Sequence, residues 1–103
     1  MNPKRLEMLR KFVEEDPSDP FNWYALALEL STAQEAEAGR RWDELIQNHP
    51  DYLPAYYQAG LHWIKHNDQP KASSILNNGI ALAQKQGNFK TLAELRSLLE
   101  DLE

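Results

Sequence analysis

The chain repeats itself at a spacing of 33 residues. Trp23-x-x-Leu26-Ala27-x-x-Leu30 returns as Tyr56-x-x-Ala59-Gly60-x-x-Trp63 and again, weakened, as Phe89-x-x-Leu92-Ala93. The intervening segments echo at the same offset: Leu9, Phe12, Val13 and Pro17 recur as Trp42, Leu45, Ile46 and Pro50. A fixed period of this length constrains the fold strongly, because one such unit cannot bury its apolar face alone and has to stack on the next. Ala, Leu, Glu, Gln and Lys dominate and Val, Ile and Thr are few, so the stacked units are expected to be helical.

Local signals divide the chain into six expected helices, at about 3–15, 20–32, 35–48, 53–66, 69–86 and 88–102. Asn2-Pro3, Asp19-Pro20 and Asp68-Gln69-Pro70 each place a capping side chain at or near a proline suited to a first helical turn. Pro17, Pro50 and Gly87 mark ends. The connections span only a few residues, which predicts antiparallel hairpins. Leu6, Leu9, Phe12 and Val13 form one apolar stripe on the first helix, with Lys4, Arg10, Lys11 and Glu14 opposite.

The pattern resembles the tetratricopeptide repeat (TPR) family. In residues 20–52 the matching positions are Trp23, Leu26, Ala27, Leu30, Ala38, Trp42, Leu45 and Pro50; in 53–86 they are Tyr56, Ala59, Gly60, Trp63, Ala72, Leu76 and Gly79. The resemblance implies an all-α fold, a short right-handed α-α superhelix of about six antiparallel helices. It implies a single domain over 1–103, with a leading helix (1–17), two repeats (20–52 and 53–86) and a C-terminal cap helix (88–103). Ala27, Gly60, Ala38 and Ala72 are small where paired helices approach, and Trp23, Leu30, Tyr56 and Trp63 are read as packing residues. The first repeat is one residue short of the roughly 34 usual in the family. Gln84 stands near the expected closing proline, and Arg96 takes the slot of Leu30 and Trp63. That fading is read as the end of the stack, as in a complete short protein rather than a fragment of a long array.

In the family, the first helix of each hairpin lines a concave side. Carried over in register, this places Phe21, Tyr24, Leu28 and Ser31, then Pro54, Tyr57, Leu61 and Ile64 or Lys65, on the concave stripe. Phe21, Tyr24, Leu28, Tyr57, Leu61 and Lys65 are therefore the candidate partner-binding residues, suited to an apolar peptide or helix. The terminal helices alternatively cover part of this surface. The same slots continue to Lys90 and Glu94, spaced to pair along the helix. Members that hold a peptide carboxylate use Lys, Arg and Asn there. Here the face offers Tyr, Leu and Ser, so that function is not carried over.

The formal net charge of −5 argues against nucleic acid and anionic membranes as partners. The chain has no apolar run of spanning length and no signal-peptide pattern, and it is read as cytoplasmic. With no cysteine, thiolate chemistry is excluded. His62 and His66 have metal-compatible i, i+4 spacing but no third ligand in sequence, and are read as exposed helix residues; no metal or cofactor is expected. His49 is expected to meet its helix end or solvent. No nucleophile, phosphate loop or acid–base motif is present, so an enzyme is not expected. The expected function is non-catalytic protein binding through the Tyr/Leu groove. The alternative is a structural or oligomerisation module using Leu95, Leu98 or Leu102. Lys4, Arg5, Arg10 and Lys11 lead the chain, whereas Glu94, Glu100, Asp101 and Glu103 end it. This asymmetry allows head-to-tail stacking or a homodimer, or simply two amphipathic caps.

Overall fold

In the computed structural model, residues 2–32 and 35–102 are described, with only the backbone at Glu35. They form six helices and no strand: α1 (Pro3–Glu15), α2 (Pro20–Leu30), α3 (Glu35–Asn48), α4 (Pro54–Lys65), α5 (Gln69–Gln86) and α6 (Phe89–Glu100). The expected capping side chains do cap. The Asn2 carboxamide accepts from the Lys4 and Arg5 amides, Asp19 from Phe21 and Asp68 from Lys71. Asn88, not singled out from sequence, accepts from Thr91 at the start of α6.

Helices α4 and α5 end alike. Asn67 and Gly87 take left-handed backbone conformations, φ 61° and 70°. The next amide then reaches back five residues: Asp68 N–H donates to Trp63 and Asn88 N–H to Ala83, while Asn67 and Gly87 donate to Ile64 and Gln84. This pair of bonds satisfies carbonyls left open at each helix end and turns the chain sharply.

Internal contacts divide the chain into two units, Met1–Pro50 and Asp51–Glu103, with the division in the connection between α3 and α4. In the first unit α2 packs against both α1 and α3. Its core joins Leu6, Leu9, Val13, Leu26, Leu30 and Ala38, with Trp23 and Ala25 against them. Each such leucine taken from water contributes roughly 1.5–3 kcal/mol. Phe12, expected on the buried stripe, is 42% exposed, because the α1 surface that meets α2 is narrow and Leu9 and Val13 occupy it. Arg10, expected on the charged outer face, is half-buried, and its guanidinium grips both oxygens of Glu37 on α3. That bidentate bond holds the Glu37 carboxyl below its usual range and the Arg10 guanidinium above its own.

In the second unit α5 packs against both α4 and α6. Two glycines set these spacings. A Cβ on Gly60 would lie 2.6 Å from a methyl of Leu76. A Cβ on Gly79 would lie 2.7 Å from the Tyr56 Cβ and 3.1 Å from a methyl of Leu95. Gly79 is thus the point on α5 where α4 and α6 both press in, and the small residues read from sequence do mark close helix approach.

Candidate functional site

On α2, Phe21, Tyr24 and Leu28 share one face at i, i+3 and i+7. Phe21 is 58% exposed, and its ring lies 6.4 Å from that of Tyr24. Tyr24 and Leu28 are half-buried. The Tyr24 ring stands edge-on to Trp42 at 5.7 Å, so this residue packs within its unit as well as reaching the surface. Ser31, next on the stripe, turns inward: its hydroxyl donates to the Ala27 carbonyl and accepts from the Trp42 indole. The packing partner Trp23 donates its indole N–H to the Pro17 carbonyl at 2.9 Å. A ring nitrogen of His49 approaches the same carbonyl at 2.9 Å, so His49 joins the α1–α2 connection to the end of α3.

In the second unit Tyr57 and Leu61 are half-buried on α4, and Lys65 is exposed. Tyr56 is buried and, through Gly79, pressed on α5. Tyr57, one residue or about 100° further round the helix, instead forms a wall of an open cavity of about 350 Å³. Ala93, Glu94, Ser97 and Leu98 of α6, with Asp101 at its C-cap, complete the lining. Of the candidate binding residues, Tyr57 is the one this cavity takes in. The α6 residues were assigned otherwise from sequence, Leu98 to a dimer face and Glu94 to a pair with Lys90. Lys90 and Glu94 are both exposed and form no ion pair among the described residues. The repeat register held the missing signal: Leu28 and Leu61 continue to Glu94, and Ser31 and Ile64 to Ser97. A second open cavity, about 300 Å³, lies at the end of α1 against Phe12, Glu15, Asp16 and Asn22.

The histidine pair departs from expectation. His66 is exposed, but His62 is only 8% exposed. It continues the buried Ala55–Ala59 stripe, so α4 is covered over a wider arc than the single stripe through Tyr56, Gly60 and Trp63. Its ring lies 4.8 Å from Trp63 and 4.4 Å from His66. The Lys71 ammonium sits 4.1 Å above the Trp63 ring, tying α5 to α4. No group of three or more metal-ligating side chains occurs among the described residues. No described helix is long and apolar enough to cross a membrane.

The chemistry offered by the α4–α6 cavity is that of a binding surface: one aromatic wall, one leucine, small residues between and a carboxylate at either end. No protein-family model matches the sequence, and no match was found among curated proteins. Solved structures do match. The solution structure of a tetratricopeptide repeat domain protein from Salinibacter ruber is 34% identical, with a TM-score of 0.79 over 85% of this chain and 90% of that one. A crystal structure of a tetratricopeptide repeat domain protein from the same organism is 30% identical, with a TM-score of 0.76 over 82% and 96%. A protein from Bordetella parapertussis, 20% identical, shares the fold with a TM-score of 0.78 over 94% and 85%.

Proposed function

The chain belongs to the tetratricopeptide repeat family, and we propose that it is a non-catalytic protein-binding module that takes an apolar peptide or helix on its Tyr/Leu faces. The observation that carries this reading is the open cavity walled by Tyr57 and Leu98, on the helix face the repeat register assigned to recognition. Tyr57 is a rigid anchor whose ring offers apolar area at small entropic cost, and Leu98 opposes it. Leu61 extends the same face of α4, with Lys65 beyond it. In the first unit Phe21 supplies exposed aromatic surface beside Tyr24 and Leu28. The single-domain organisation expected from the sequence belongs to this proposal: both units serve one binding protein.

Selection of displayed peptides against the folded chain tests the proposal. Recovered peptides are expected to carry a large apolar residue. Tyr57→Ala with Leu98→Ala should weaken them about tenfold or more while leaving helicity unchanged. Peptides whose affinity is indifferent to both substitutions would overturn the reading.

A further inference from the structure

Four of the charges left without an ion pair among the described residues fall into two matching sets. On α1, Arg5 pairs with Glu29 and Arg10 with Glu37. Lys4 and Lys11 are exposed and have no ion-pair partner among the described residues. They lie at i and i+7 of one helix face, with Met8, 54% exposed, between them at i+4. On α6, Glu94 and Asp101 are likewise exposed and unpaired among the described residues. They too lie at i and i+7, with Leu98 at i+4, and all three line the cavity. Each charge pair is about 10.5 Å apart along its helix at 1.5 Å per residue.

The Asp101 end of the acidic set is also poorly placed for its helix. Glu100 and Asp101 stand at the C-terminal end of α6, where no basic residue occupies the last turn. The helix dipole is negative there, so the end lacks the cation that would ordinarily compensate it. The cavity thus offers an apolar middle and two uncompensated carboxylates, and α1 offers an apolar middle and two unused ammonium groups.

We infer that the α4–α6 cavity receives α1 of a second copy of this chain. Running antiparallel, Lys4 meets Asp101, Met8 enters against Tyr57 and Leu98, and Lys11 meets Glu94. The flexible thioether of Met8 suits a shallow, irregular cavity. The contact is heterologous, joining α1 of one copy to the cavity of another, and it closes or grows head to tail according to the rotation between copies. Two exposed ion pairs and one buried methionine give weak association, with a dissociation constant on the order of 1 mM. The inference rests on the reading of Tyr57 as part of a binding face.

Sedimentation equilibrium of the whole chain at low salt, up to about twice that constant, provides the test. The average mass of the wild type should rise with concentration and fall back as salt screens the pairs. Lys4→Glu/Lys11→Glu and Glu94→Lys/Asp101→Lys should each be monomeric while remaining helical. Mixed in equal amounts, the two variants should associate again, because the acidic cavity of the first receives the basic α1 of the second and the acidic α1 of the first faces the basic cavity of the second. A strictly monomeric wild type overturns the inference, as does wild-type-like association of either variant alone. So does a mixture that stays monomeric. A monomeric wild type that still binds selected peptides through Tyr57 sinks this inference and leaves the proposed function standing; loss of both sinks both.

Discussion

Gly79→Ala isolates the contact that spaces the two helices of the candidate site. The substitution should gain about 1 kcal/mol from backbone entropy in a helix interior. Against that, the new methyl would lie 2.7 Å from the Tyr56 Cβ, 3.2 Å from its Cγ and 3.1 Å from a Leu95 methyl. Carbon atoms prefer roughly 3.5–4.0 Å. The Leu95 methyl can rotate aside, but the Tyr56 Cβ is fixed to the α4 backbone, so α4 and α5 must separate. Overpacking of this kind costs about 1–3 kcal/mol, and a contact with an immovable atom belongs at the upper end. The net expectation is a loss of about 2 kcal/mol, or roughly 8–16 °C in the melting temperature of a chain this size.

Gly60→Ala meets the end of the Leu76 side chain instead of a backbone-fixed atom, so about 1 kcal/mol is expected there. Thermal and urea unfolding followed by circular dichroism measures both. NMR shifts of Tyr57 in Gly79→Ala should move as well, since α4 is displaced from α5. A Gly79→Ala chain as stable as the wild type, or one less affected than Gly60→Ala, refutes the assignment of Gly79 as the shared contact.

Two further outcomes follow from the first unit. The Arg10 guanidinium favours ionised Glu37, so the stability this pair supplies is complete above the pKa of the unfolded carboxyl and is lost as pH falls through the lower folded value. Glu37→Gln should therefore cost about 1 kcal/mol at neutral pH and approach zero at the acid end of that window; a penalty unchanged across a urea-melt pH series contradicts the pairing. Tyr24→Ala removes a ring set edge-on to Trp42 and should lower stability by about 1–2 kcal/mol. An unchanged melting curve would show Tyr24 to be purely a surface residue.

The helix ends were legible because their causes are local. Asn2, Asp19 and Asp68 cap with their own side chains, and Gly87 supplies the left-handed turn that most residues avoid. Close approach was legible too, since only a small residue fits where Gly60 meets Leu76. What periodicity did not reveal was how wide an arc of each helix is covered. The repeat pattern predicts Tyr56, Ala59, Gly60 and Trp63 inside α4, yet Ala55 and His62 are buried as well and Trp63 only half so. On α1 the error runs the other way, and Phe12 stays partly in water. A repeat period states which residues are equivalent. Coverage depends on what packs against each helix, and equivalent positions differ in that: Leu45 is fully buried while Phe12, at the same offset, is not.

The same distinction separates scaffold from recognition among the charges. Sequence alone gives α1 four cations in its first nine residues and no means of ranking them. Folding ranks them, because Arg5 and Arg10 lie within reach of Glu29 and Glu37. A guanidinium that holds a carboxylate from two sides contributes to one unit's stability and is unavailable to a partner. Lys4 and Lys11 are left, and on α6 so are Glu94 and Asp101. An unused charge next to an exposed apolar side chain is the least satisfied surface the chain owns, and it is there that a partner gains most by binding. The period shared by Leu26, Ala59 and Leu92, all buried, fixes the framework. On the proposed reading, the residues one step off it, at Tyr57 and Glu94, are the ones that meet a partner.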